Sequence, residues 1–350
     1  MRLRMTLKRR AVAAIFAVVL SPALLADDDG PPCVAGAILR MTPAGTFREY
    51  RVPSASGGID AIVEASDGTV WFTERCGKIG RVTASGSFTE YAMPNWHFDH
   101  GITVGPDRSL WFTETDRIGR ITTAGKTSHF ALPTDYIAAA PIVSGPDGTL
   151  WFFDTGRNRI GRMTTSGAFS ESALTDKRNR YGSPTAGVES ITAGPDGGLW
   201  LTGSREGTDG RGSGRVFRMT TSGSVTEYPL PRGIFASSIA TGSDGALWFT
   251  EYTNPGRAFT GQIGRMTTAG AYSEFSLQTV GLLATAITPG ADGLWFIEHA
   301  ADARGSLTPK VGRLTIRGDF TEYRLPTGRD AMALVAGRGH VLWIAVVMKR

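Results

Sequence analysis

The sequence predicts an all-β fold, a seven-bladed β-propeller with four-stranded blades, and three observations carry that prediction. Trp71, Trp111, Trp151, Trp200, Trp248, Trp295 and Trp343 recur at spacings of 40, 40, 49, 48, 47 and 48 residues. Around most of them runs one motif, clearest as Ile102-Thr103-Val104-Gly105-Pro106-Asp107, Leu110-Trp111-Phe112-Thr113-Glu114 and Ile118-Gly119-Arg120-Ile121-Thr122-Thr123-Ala124-Gly125. Glycine supplies 45 of 350 residues, nearly double the usual ~7%, with no collagen period to explain it. Many tight turns and short strands follow. A repeat of 40–50 residues holding four strands is the signature of a propeller blade.

Each element of a blade can be justified in turn. Asp-Gly or a variant separates the first strand from the tryptophan strand, a hairpin signal. The third strand carries an arginine, at Arg40, Arg81, Arg120, Arg162, Arg218, Arg265 and Arg313. A glycine turn then leads to a fourth strand bearing a glutamate, at Glu49, Glu90, Glu171, Glu227, Glu274 and Glu322. Arg40 precedes the first tryptophan, and no third strand follows Trp343. The strands near 38–42 and 47–52 therefore complete the blade that the C-terminus begins, which removes exposed sheet edges. Residues present in nearly every blade read as scaffold, because one site needs its groups only once. The recurrent acids and arginines are accordingly expected to form ion pairs within and between blades.

Outside the repeat, Arg2, Arg4, Lys8, Arg9 and Arg10 precede an apolar run from Ala11 to Leu20 and then Ser21-Pro22-Ala23-Leu24-Leu25-Ala26. This order reads as a signal peptide over residues 1–26, with a single propeller domain over 27–350 and export to the periplasm or medium. The apolar run is too short to span a bilayer. Those five bases are part of 37 Lys and Arg against 32 Asp and Glu, so the remainder is neutral and no nucleic-acid groove is expected. Cys33 and Cys76 are the two cysteines, and an oxidising compartment permits their pairing. No HExxH, EF-hand loop, dinucleotide fingerprint or nucleophile elbow occurs.

Function is expected where the repeat breaks. Counting back about eleven residues from each tryptophan gives a ring of positions at the channel mouth: Asp60, His100, Ala140, Glu189, Ser237, Thr285 and Met332. His100 closes the cluster Asn95-Trp96-His97-Phe98-Asp99-His100 and is the candidate general base, with Asp99 or Asp60 to orient it. His299, beside Glu298, is the reserve base. Asp60, His97, Glu189, Thr285 and Glu298 are the candidate substrate contacts. The loops 203–215, 252–262 and 299–310 are longer than their counterparts and are expected to wall one side of a cleft for a small molecule or peptide, in a monomer.

The motifs Ile191-Thr192-Ala193-Gly194-Pro195-Asp196-Gly197, Leu110-Trp111-Phe112-Thr113-Glu114 and Ile118-Gly119-Arg120-Ile121-Thr122 resemble those of the virginiamycin B lyase (streptogramin B lyase) family. The resemblance spans the mature chain. It implies a seven-bladed propeller that opens a cyclic depsipeptide by elimination, with a histidine base and Mg²⁺ polarising a carbonyl. At the two positions of the family's catalytic histidines this chain has Thr285 and Met332. The family's metal-binding glutamate is matched by Asp330, an oxygen ligand, while the second falls within Ala345-Val346-Val347. Two readings follow: an exported lyase using His100, and a non-catalytic exported propeller that binds a ligand or protein.

Overall fold

The computed structural model describes residues 35–54, 58–74, 77–93, 101–114, 116–133, 138–154, 159–174, 186–206, 212–253, 260–277, 282–291, 293–301 and 307–348. Seven four-stranded antiparallel sheets form the ring. Strands are lettered A to D from the innermost outward, and blades are numbered from the one holding Trp71. Blade 7 is composite. Its strands A (Arg329–Gly337) and B (Val341–Met348) are joined by C (Gly36–Met41) and D (Phe47–Arg51) from the other end of the chain. The seam runs from Gly36 opposite Val347 to Met41 opposite Leu342. The proposed signal peptide and both cysteines lie outside the described residues.

The blades are cemented by apolar clusters that cross from one sheet to the next. Trp71 of blade 1 packs with Ile102, Leu110 and Phe112 of blade 2, and Trp343 packs with Ile59, Ile62 and Phe72. All seven tryptophans are buried. The repeated polar residues explain how each indole is tolerated there. In blade 5, Trp248 Nε1 donates to Asp244 Oδ1 at 3.0 Å, while Arg265 pairs with Asp244 Oδ2 at 2.8 Å and lies over the indole. Blades 2, 3 and 4 repeat the Trp–Asp bond and the Arg–Asp pair. Burial raises these aspartates, but the hydrogen bonds from indole and neighbours outweigh it and hold them below their ordinary range. The third-strand glycine is required by space. A Cβ at Gly119 would come within 2.1 Å of the Phe112 ring.

The fourth-strand acids pair as expected, for example Lys78–Glu90 at 2.9 Å and Arg159–Glu171 at 2.7 Å. Blade 2 carries a substitute at this position, His129, whose Nδ1 lies 2.9 Å from Glu114 Oε2. The long loops of blades 4, 5 and 6 prove to be extended hairpins. Their B and C strands run Leu199–Glu206 with Gly212–Met219, Leu247–Thr253 with Thr260–Met266, and Gly293–Ala301 with Leu307–Thr315. Blade 1 has only Val70–Glu74 with Lys78–Val82. One arc of the mouth is thus raised by paired backbone, a stiffer wall than a free loop would make. Among the described residues no helix is long and apolar enough to cross a membrane.

Candidate functional site

The start of each A strand and the end of each B strand lie at the same end of the ring. Here the A strands slip register once, between Ile59 and Ile62, Ala139 and Ile142, Val188 and Ser190, Ala236 and Ile239, Ala284 and Ile287, and Ala331 and Ala333. The skipped residues include Asp60, Ala140, Glu189, Ser237, Thr285 and Met332, six of the seven positions obtained by counting back from tryptophan. A β-bulge re-aims side chains and frees backbone groups from the ladder. In this ring, those groups are recaptured by threonines two residues after tryptophan. Thr250 Oγ1 accepts from Ser238 N at 3.0 Å in its own blade and donates to Thr285 O at 3.0 Å in the next. Thr202 Oγ1 likewise donates to Ser237 O. Thr73 and Thr113 accept from Ala61 N and Gly101 N.

Blades 3, 6 and 7 lack this threonine and carry Phe153, Ile297 and Ala345 instead. In blade 6, Ile297 is fully buried, and no hydroxyl reaches toward blade 7 from it. Two residues on, His299 crosses the seam instead. Its Nε2 lies 3.2 Å from Oδ1 of Asp330, which sits immediately before the bulged part of the blade 7 A strand. The side chains of His299 and Asp330 are 14% and 19% exposed, enough for a ligand to reach them. A carboxylate can only accept, so Nε2 donates to it, and in the neutral imidazole Nδ1 then holds the lone pair. An imidazole oriented by a carboxylate is the common arrangement of a general base.

Strand alternation sends the neighbouring residue elsewhere. Glu298, expected as a substrate contact, is fully buried within its own blade, beside Lys310 and Glu322, which pair at 2.5 Å. Burial, reinforced by the charge of Glu322, pushes Glu298 up to about 8. Glu251 of blade 5 is likewise pushed up to about 8, by burial above all, and accepts from Tyr272 Oη at 3.0 Å. These are repeat positions, and they serve the blades.

The remaining expected residues distribute around the mouth. Asp60, Glu189, Thr285 and Met332 are half-buried on their bulges. His97 and His100 lie outside the described residues, so the His100 base has no described geometry. Sequence reasoning missed Phe235 as a mouth residue; its ring stacks on Tyr252 with centroids 5.5 Å apart and planes 17° from parallel. It also missed the bridging threonines, although Trp-Phe-Thr at blades 1, 2 and 5 was a legible signal.

The residues around Asp330 can be tested against Mg²⁺, which the resemblance implies. Mg²⁺ takes near-octahedral oxygen ligands, commonly one or two carboxylates and several waters. Asp330 offers one carboxylate already engaged by His299, and its strand neighbours are the Met332 thioether and the alkyl chains of Val346 and Val347. Among the described residues no group of three or more His, Cys, Asp or Glu converges to hold a metal. This donor set does not fit Mg²⁺.

Comparison with known proteins bears on the same question. A profile of the Virginiamycin B lyase family matches residues 33–180 and 177–349. The chain is 30% identical over 222 residues to virginiamycin B lyase from Nocardia farcinica, covering 61% of this chain and 69% of that one. It superimposes on virginiamycin B lyase from Staphylococcus aureus with a TM-score of 0.68 at 28% identity, covering 89% of this chain and all of the other. A catalytically inactive histidine-to-alanine form of that enzyme, solved with quinupristin, gives 0.67 at 27%, with 89% and 100% covered. With its ring, its composite seventh blade and both halves matching one profile, this chain belongs to the virginiamycin B lyase family.

Proposed function

We propose that the chain is an exported lyase-like propeller that opens a cyclic depsipeptide of the streptogramin B type by elimination, with His299 as the base. One observation carries the chemical part: the His299–Asp330 pair, 3.2 Å across the seam of blades 6 and 7 at the mouth. His299 Nδ1 takes a proton from the carbon next to a carbonyl. The electron pair left behind forms a carbon–carbon double bond, and the ester carbon–oxygen bond on the adjacent carbon breaks. The carboxylate departs as the leaving group, and no water is consumed. Asp330 balances the imidazolium that forms, and the raised hairpins of blades 4 to 6 limit water at the seam. Export rests on the basic and apolar start of the sequence.

Thr285 and Met332, at the positions of the family's catalytic histidines, favour a second reading: a propeller that binds such a ligand without opening it. One assay separates the two. The mature protein is incubated with a type B streptogramin, with added Mg²⁺ or with EDTA, and the product is followed by mass. Elimination leaves the mass unchanged, whereas hydrolysis adds one water. His299→Ala is expected to lower turnover by about 10²-fold or more while leaving the melting curve intact. Ring opening that His299→Ala does not slow removes His299 as base. Saturable binding without ring opening under any condition supports the second reading.

A further inference from the structure

Across the mouth from the His299–Asp330 pair, blade 4 presents Glu189 on the bulge between Val188 and Ser190. It is half-buried, and among the described residues no hydrogen-bond or ion-pair partner meets its carboxyl. Burial alone raises its affinity for a proton. The other mouth groups differ. Asp330 is held by His299, and the bulges at Ser237 and Thr285 are tied through their carbonyls to Thr202 and Thr250. Beside Glu189 stands an aromatic wall. Tyr252, at the end of the blade 5 B strand, stacks on its cross-strand partner Phe235. Burial and the nearby Glu189 charge push the Tyr252 hydroxyl up to about 12. Phe235 is backed by blade 4, where a Cβ on Gly212 would lie 3.4 Å from its ring. A Cβ on Gly187, two residues before Glu189, would meet no atom of the described residues within 4 Å.

We propose that Glu189 and the Phe235–Tyr252 stack form a subsite for an ammonium group on the ligand. A carboxylate withdrawn from water gains most from an opposite charge delivered with the ligand, since burial penalises it until it is paired. A ring face adds attraction for the same cation through its quadrupole, and for an alkylated ammonium more than for a strongly hydrated ion. A hard divalent metal is the poorer occupant, because one carboxylate and two rings cannot supply its oxygen shell. The subsite deepens the proposed function by naming a feature of the substrate, and it rests on that reading only for the side from which the ligand enters. With the base at the seam of blades 6 and 7 and the ammonium subsite on blades 4 and 5, the ligand would lie along the raised arc.

The test uses binding and needs no turnover. Benzyltrimethylammonium and the neutral benzyl alcohol are titrated into the mature protein by calorimetry or ligand-observed NMR. The cation is expected to bind saturably, at least about tenfold tighter than the alcohol. Glu189→Gln should abolish that preference with an unchanged melting curve, and Tyr252→Ala should weaken the cation severalfold. Equal binding of the two probes, no saturable binding of the cation, or a preference that survives Glu189→Gln would overturn the subsite. Ring opening without a cation preference sinks the subsite and leaves the lyase. A cation preference without ring opening does the reverse.

Discussion

The seam between blades 5 and 6 and the seam between blades 6 and 7 solve the same problem in different ways. At the first, the buried Thr250 hydroxyl ties its own bulge at Ser238 to the Thr285 carbonyl of the next blade. At the second, the corresponding residue is the apolar Ile297, and the polar contact has moved two residues outward to His299 and Asp330. The first contact is fully enclosed, uses a side chain that recurs in four blades, and satisfies backbone groups. The second joins two titratable side chains within reach of solvent. A repeat protein keeps its scaffold in what recurs. The side chains that replace a recurrent residue are where single-copy chemistry can be placed, because there the ladder no longer needs them.

The severest way to break the comparison is to remove the strands on which the second seam depends. Deleting residues 35–51 strips strands C and D from blade 7 and exposes Ile344 and Val346, now fully buried. An unpaired, apolar strand edge is an aggregation template. The expected outcome is loss of the cooperative melting transition and oligomers on size exclusion. A monomer with an unaltered melting curve would show that the terminal strands do not close the ring.

A second prediction asks whether Glu298, next to His299, belongs to scaffold or to mouth. Unfolded, its carboxyl ionises near 4.5; folded, burial and Glu322 push it up to about 8. The folded state therefore holds a proton that the unfolded state has released. That contribution is present in full below about 4.5 and is lost as pH rises through about 8. Glu251 acts with the same sign over the same window. The melting temperature should fall from pH 6 to pH 9, and Glu298→Gln, neutral throughout, should make the fall shallower. A variant with the same pH slope as the wild type would place Glu298 in contact with water, at the mouth.

Much of this arrangement was legible in the sequence, and the reason is periodicity. Seven tryptophans fixed the blades, and the excess of Arg40 over the first tryptophan exposed the composite blade before any coordinate. Counting back from tryptophan even found the bulges, because the A–B turn is nearly constant in length. The site was less legible. Glu298 and His299 are adjacent in sequence, yet strand alternation buries one and carries the other to the next blade. The partner of His299, Asp330, lies 31 residues away. Spacing alone could not single them out, since the same step of 31 residues separates Ser204 from Phe235 and Tyr252 from Leu283 in the preceding blades. His129 escaped notice as the seventh member of the fourth-strand set because only acids were counted. In the structure it faces Glu114 much as Glu90 of blade 1 faces Lys78 and Glu171 of blade 3 faces Arg159.

Thr250→Val measures the first seam directly. The methyl replaces the hydroxyl at nearly constant volume, so packing changes little. What is lost is one hydrogen bond to Ser238 N and one to Thr285 O, leaving two backbone groups unsatisfied. The expected cost is about 1–3 kcal/mol in chemical denaturation. A loss below experimental error would mean that the bulge is held by the ladder on either side and that the recurrent threonine is incidental.

Asp330→Asn measures the second seam and should move stability least. Asparagine keeps the size of aspartate and an oxygen that can accept from His299 Nε2, and the position is not fully enclosed. The change in unfolding free energy should stay within about 1 kcal/mol, because the asparagine keeps the hydrogen bond and leaves no buried donor unmet. Catalysis should respond in the opposite proportion. An amide can orient the neutral imidazole, but it carries no charge to balance the imidazolium that forms as the proton is taken. Asp330 acts through His299, as a positioning and charge-balancing residue, so kcat in the ring-opening assay should fall by about 10²-fold with KM little changed. A large loss of stability with normal kcat would make the pair a structural clamp, another form of the Thr250 bridge. A small loss of stability with collapsed kcat would separate the two seams by what each does: one holds the blades in register, and the other gives up that duty to hold a base at the mouth.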